Sequence, residues 1–182
     1  MPKLSDADLL QRLQDATTRR EAFELMVRRY TCPLYQQIRR MGLTHDDTDD
    51  LLQNTFMKAW TGLDSFRGEA KLSTWLYRIA INESLTFLSK NKAVASLDDA
   101  DAAHSAESIE GDRYFDADRT ARLFQAALAT LPDKQRLVFN LKYFDEMKYE
   151  DMETLLGTSV GALKASYHIA VKKIEAFFNE HD

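Results

Sequence analysis

One cysteine, three prolines and six glycines in 182 residues leave little room for several kinds of protein. Cys32 alone makes no internal disulfide, so a secreted, disulfide-stapled scaffold is excluded and a reducing, cytoplasmic setting is expected. With only four scattered histidines beside it, the chain has no metal-ligand spacing, and neither a metal nor a cofactor is expected. So little Gly and Pro argues against a turn-rich β protein. No apolar run approaches the roughly 20 residues that cross a bilayer, so no membrane insertion is expected. Leu9 and Leu10 are soon followed by Gln11 and Arg12, which does not read as a signal peptide. There is no nucleophile–base pair and no phosphate loop, so no catalytic residue and no enzyme is expected.

What is present suits a globular chain with a core: 45% hydrophobic and 29% charged residues, enough for one domain or two small ones. The net charge of −5 argues at first against a nucleic-acid binder. Its distribution matters more. Residues 1–92 carry 14 basic and 12 acidic groups, residues 93–130 carry 3 and 8, and residues 131–182 carry 7 and 9. The acid surplus lies in the middle, and the ends are free to present local basic faces.

Helical periodicity dominates. Ser5 is a natural N-cap for a short helix from Asp6 to Gln14. A longer helix from about Thr18 to Arg40 places Phe23, Met26, Val27, Tyr30, Leu34 and Ile38 on one face. Pro33 is a potential bend and Gly42 a stop. Thr44 or His45 opens a third helix with Leu52, Thr55, Phe56 and Ala59 inward, and a fourth runs from about Leu72 to Asn91. Residues 93–115 are small, polar and acidic without periodicity, and read as a flexible linker. Beyond them come a helix closed by Leu131-Pro132, one from Asp133 to Phe144 with Leu137, Val138 and Leu141 inward, a short one from Lys148 to Leu156, and a last one capped by Thr158 or Ser159 and running to about Phe178. The expected fold is all-α: residues 1–92 and 116–182 as two small helical domains joined by an acidic linker.

Two constellations stand out. In Leu63–Asn82 a Gly-containing turn leads into an aromatic helix, and Phe66, Trp75 and Tyr77 lie near Arg67, Lys71 and Arg78. Flat apolar faces beside cations suit unstacked bases and their phosphates. Equally, Trp75 with Leu72, Leu76 and Ile79 has the spacing of a buried stripe, and Phe66 has the chemistry of a loop anchor. Lys148–Lys173 reads as a helix-turn-helix. Leu163, Tyr167, Ala170, Ile174 and Phe177 form its core stripe. Gly161, Lys164, Ala165, His168 and Lys172 lie opposite, a small, cationic, acid-free face suited to a major groove. On the third helix, Asp50, Gln53, Asn54 and Met57 share an outer face that is either solvated surface or a docking site.

Taken together and in order, DDLLQNTFMKAW at Asp49–Trp60, FRGEAKLSTWLYRIAIN at Phe66–Asn82, LPDKQRLVFNLKYF at Leu131–Phe144 and TSVGALKASYHIAVKKI at Thr158–Ile174 resemble bacterial RNA polymerase sigma factors of the extracytoplasmic-function type. The resemblance implies that the first half is sigma region 2 and the second region 4. It implies a transcription initiation factor that binds core polymerase through the β′ clamp and β flap, recognises −35 and −10 promoter elements and assists melting. It assigns Asp49, Asp50, Gln53, Asn54 and Met57 to polymerase docking. Phe66, Arg67, Lys71, Trp75, Arg78 and Asn82 fall to the −10 element, and Ser159, Lys164, Ala165, His168 and Lys172 to the −35 element. The sequence departs from the family pattern at Asn54, where Glu is usual, and at Ala162, Ala165 and Ser166, where Thr, Ser and Arg are usual. An anti-sigma factor is a further implied partner. The rival reading is a stand-alone helix-turn-helix regulator with an N-terminal partner-binding module.

Overall fold

The computed structural model describes residues 4–95 and 119–181, and among them it is helical with no strand. The N-terminal unit comprises α1 (Asp6–Gln14), α2 (Arg19–Arg39), α3 (His45–Gly62) and α4 (Leu72–Ala95). The C-terminal unit comprises α5 (Arg119–Ala129), α6 (Asp133–Tyr143), α7 (Tyr149–Leu156) and α8 (Val160–His181). Most of the expected linker lies outside the described residues. α4 continues four residues past its expected end at Asn91.

The helix ends follow their capping chemistry. Ser5 forms a full capping box with Asp8, and the Thr44 hydroxyl accepts from the Asp47 amide at 3.1 Å. Asp46 and Asp47 in the first turn of α3 favour its helix dipole. Pro132 occupies the N-cap of α6, immediately before its first helical residue, Asp133. α2 runs uninterrupted through Pro33, which is exposed. α1 is fastened to α2 by Asp6, which accepts from Arg29 at 2.7 Å and from Tyr30 at 2.8 Å.

Leu9, Leu13, Met26, Leu34, Ile38, Leu51, Leu72 and Leu76 are fully or almost fully buried and centre the first core. Phe23, Val27, Phe56, Trp75 and Ile79 are only half-buried, because the stripes they extend reach the rim of the bundle. The core does not stop at the domain boundary: Leu137, Leu141, Met152, Leu155 and Leu163 are continuous with it. A second cluster joins Leu128, Leu131, Phe139, Ala170 and Ile174, with Phe139 stacked on Tyr143 and Tyr167.

The two units therefore dock, a contact that periodicity does not announce. Its centre is Arg136, 5% exposed. Its Nε and Nη2 donate to the carbonyls of Leu128, Ala129 and Leu131, closing the α5–α6 turn, and its Nη1 donates to the carbonyl of Met41 at 2.8 Å, across the joint. Asn140 Nδ2 donates to the Arg40 carbonyl at 3.0 Å. Both acceptors lie in the turn just past α2, where the carbonyls have no helical partner. Arg40 in turn pairs with Asp145 at 3.1 Å and lies over the Phe144 ring. Farther out, Arg78 donates to the Thr154 carbonyl at 2.6 Å, Lys71 stands 3.9 Å from Asp151, and Lys92 pairs with Asp133 at 2.6 Å.

The joint is tightly specified in one place and imperfectly satisfied in another. Gly42 has φ +84°, and a Cβ there would sit 2.4 Å from Arg136 Nη1. Asn140 Oδ1 and Asp145 Oδ2 are buried with no hydrogen-bond partner among the described residues. Burial raises the Asp145 pKa above the usual carboxylate value, and Arg40 offsets this only in part. Tyr77, facing the same joint, is pushed up to about 12 by burial and by the Asp145 charge.

Two outcomes follow for stability. Gly42→Ala should cost about 2 kcal/mol or more, from positive-φ strain plus a displaced guanidinium, read as a lower urea midpoint at unchanged slope. A midpoint equal to the parent's would show that Arg136 does not hold this place in solution. Asp145, with its native pKa raised, takes up a proton in the folded state before the unfolded chain does as pH falls. The cost of its charge is thus full above the raised native pKa and disappears as pH falls from there toward 3.8. Asp145→Asn should raise the melting temperature at pH 7, with the gain shrinking as pH is lowered through that window. A gain that grows toward acid would reverse the assignment.

Candidate nucleic-acid and polymerase interfaces

Three surfaces carry the residues singled out from the sequence. On α3, Asp49, Asp50, Gln53 and Asn54 are all exposed, and Met57 is 61% exposed. Thr48, Leu52, Thr55 and Ala59 point the other way into the core, and this fixes the outward direction of that face. Thr55 satisfies its hydroxyl on the Leu51 carbonyl at 2.7 Å, so a polar residue sits in the core without loss. At the end of the same helix Trp60 is 44% exposed and rests edge-on against Phe23 at 4.9 Å. Trp60 was not singled out from the sequence. Its place seven residues after Gln53, on the exposed stripe, is the signal that marks it.

The turn between α3 and α4 is built around stacked rings. Phe66 and Trp75 lie 4.5 Å apart with 17° between planes. Phe66 is nearly buried and anchors the turn, whereas Trp75 is half-buried and lines an open pocket. Gly62 lets the ring in, since a Cβ there would be 3.2 Å from Trp75 Cζ2. Gly68, at φ +74°, reverses the chain over Leu10. The pocket, about 330 Å³, is lined by Ser65, Phe66, Arg67, Glu69, Trp75 and Arg78, among others. Trp75, Arg78 and Asn82 follow one another along one face of α4, and Asn82 is exposed. Arg67 is exposed and has no ion-pair partner among the described residues. Arg78 lines the pocket and donates to the Thr154 carbonyl of α7, and Lys71, just before α4, stands near Asp151 of the same helix.

On α8, Lys164, Ala165, His168 and Lys172 are exposed, and Leu163, Ala170 and Ile174 anchor the helix from behind. Ser159 caps the helix, its hydroxyl accepting from the Ala162 amide at 3.3 Å, and remains exposed. Lys164 lies over the Tyr149 ring of α7 at 5.6 Å, which joins the two helices of the helix-turn-helix. Gly157, at φ +66°, makes the turn between them. Among the described residues no group of His, Cys, Asp or Glu is placed to hold a metal ion, and no helix is long and apolar enough to cross a membrane.

The arrangement has close parallels in known proteins. Residues 26–94 match the family pattern for sigma-70 region 2, and residues 121–174 match that for sigma-70 region 4. The chain is 31% identical to the RNA polymerase sigma-H factor of Pseudomonas aeruginosa, over 93% of this chain and 92% of that one. It is 27% identical to the ECF RNA polymerase sigma-E factor of Escherichia coli, over 95% and 94%. Two solved structures share its fold. One is the sigma factor RpoE in complex with the anti-sigma factor NepR from Bartonella quintana, with TM-score 0.73, 26% identity, and coverage of 86% of this chain and 96% of that one. The other is CnrH in complex with the cytosolic domain of CnrY, with TM-score 0.69, 26% identity, and coverage of 97% and 99%. A stand-alone regulator does not account for the region 2 match. The chain belongs to the ECF sigma-70 family, non-enzymatic factors that direct RNA polymerase to promoters.

Proposed function

We propose that the two units divide promoter recognition between them, working in the cytoplasm as a subunit of RNA polymerase. In this reading residues 1–92 form region 2. The face of Asp49, Asp50, Gln53, Asn54 and Met57, extended by Trp60, docks on the β′ clamp. The turn at Asp64–Lys71 takes a base flipped from the −10 element. The observation that carries this is the open pocket between Trp75 and the cations Arg67 and Arg78. Extracting a base from its stack costs a few kcal/mol. An aromatic wall returns about 1–3 kcal/mol per base, and the guanidinium groups hold the adjoining phosphates. Asn82, farther along the same face, meets the edge of the duplex. Residues 116–182 form region 4, which binds the β flap and reads the −35 element with Ser159, Lys164, Ala165, His168 and Lys172. An anti-sigma factor is a further proposed partner, supported by the likeness to two sigma factors solved in such complexes.

The docked arrangement belongs, in this reading, to the free factor. Elements centred 25 base pairs apart are separated by about 85 Å of duplex at 3.4 Å per pair. A compact 182-residue chain has a radius of gyration of only about 16 Å. The units must therefore part before both elements are held, and parting frees Lys71 and Arg78 from α7. Polymerase supplies the opening by binding each unit separately.

Reconstituted holoenzyme should give permanganate-reactive thymines at the −10 element of promoters drawn from a library. Arg67→Ala and Asn82→Ala should each lower open-complex yield roughly ten-fold, with core affinity unchanged. Asn54→Ala with Met57→Ala should do the opposite and weaken core binding. Absence of a footprint on every promoter would sink the reading. Closure is tested by Lys92→Cys with Asp133→Cys in a Cys32→Ser background, bridged by a short reducible bis-thiol linker. The bridged factor should form no open complexes and should recover on reduction. Full activity while bridged would show that the units need not separate.

A further inference from the structure

We propose that Ile169 selects thymine within the −35 element by packing against its 5-methyl group. The inference rests on the reading of α8 as the −35 helix. Ile169 is 44% exposed, and among the described residues it is the one large apolar side chain of α8 that stands so far out. It does not belong to the stripe of Leu163, Ala170 and Ile174 that seats the helix. Ala162, Ala165 and Ile169 instead follow one another at i, i+3 and i+7, all exposed, as a second apolar line along the outer face. Lys164 and His168 flank that line on one side, and Lys172 continues the face one turn on.

The chemistry of this face is unusual for a helix that reads bases. Ala162 and Ala165 carry neither donor nor acceptor. Ser166 is half-buried, and the Ser159 hydroxyl is engaged as the cap of α8. Lys173, farther round the helix, is held by Gln135 at 3.0 Å. Between the cap and Lys172 the apolar line therefore offers nothing to bond a purine edge. The lysines fix the helix to phosphates, which positions it without selecting sequence. Small alanines let the helix backbone come close to the groove floor. The one base-specific group that an aliphatic side chain can distinguish in the major groove is the thymine methyl. The neighbouring lysines, Lys164 and Lys172, make DNA the occupant of this face rather than an apolar protein surface.

The test uses the full chain bound to core polymerase. Promoters selected by that holoenzyme should carry a fixed thymine in the −35 element. Each −35 thymine is then replaced by deoxyuridine, which removes only the methyl group. One position should lose about four-fold in affinity, the worth of a single buried methyl. Ile169→Ala should bind the thymine and deoxyuridine forms alike, and Ile169→Val should keep part of the difference. A selected element without thymine, a flat deoxyuridine scan, or a full methyl effect persisting in Ile169→Ala would overturn the assignment. So would an Ile169→Ala variant that weakens core binding and leaves the methyl effect intact, since that marks a protein contact. If binding is indifferent to the −35 sequence altogether, the assignment of α8 to that element fails as well. Dependence on sequence with a flat scan removes only the role of Ile169.

Discussion

The guanidinium of Arg136 donates to four backbone carbonyls drawn from both halves of the chain. Three of them close the turn that sets α5 against α6. The fourth lies in the turn just past α2. A helix C-terminus buried without donors is costly, and a planar fork that cannot lose its proton suits the task. Gly42 follows from this constraint, because no side chain fits where the guanidinium passes. Asn140 extends the same logic by one carbonyl. The placement of α6, and hence of the helix-turn-helix behind it, depends on this contact.

The joint so formed combines opposing properties. Its apolar part merges two cores, which favours closure. Its polar part holds a partly buried ion pair whose carboxylate keeps one oxygen unpartnered among the described residues, and pairs taken out of water are weak evidence of stability. Specific placement with moderate strength is what a contact needs if it is to be made in one state and given up in another. Arg78, which lines the Trp75 pocket, and Lys71, just before α4, are shared with α7 through a carbonyl and a carboxylate, groups that present partial or full negative charge much as a phosphate does.

The helices, their caps and the helix-turn-helix were legible in the sequence because each rests on local rules. Ser5, Thr44 and Gly42 mark ends within a residue or two of where they fall. The exposed faces of α3 and α8 were legible for the same reason, since helical spacing assigns sides. The half-burial of Trp75 and Phe23 was not, because the angle around a helix tells direction and not depth. Nor was the joint. Arg136 stands beside Leu137, Val138 and Phe139, and a cation in so apolar a run is the single clue that its charge has a buried use. Its partner across the joint, the Met41 carbonyl, lies 95 residues away, beyond the reach of any periodicity. Trp60 and Ile169 were missed because an exposed apolar residue is an exception to the pattern that reveals its neighbours.

Both tryptophans of the chain lie at surfaces described above, and at different ones: Trp60 ends the outer stripe of α3, and Trp75 forms a wall of the pocket. Their surroundings differ in kind, an edge-on phenyl in one case and a stacked phenyl with nearby guanidinium groups in the other. The protein thus contains two intrinsic fluorophores that report separately. Emission from the first reports on the outer face of α3 and emission from the second on the pocket, so events at the two surfaces are readable separately from an unlabelled chain.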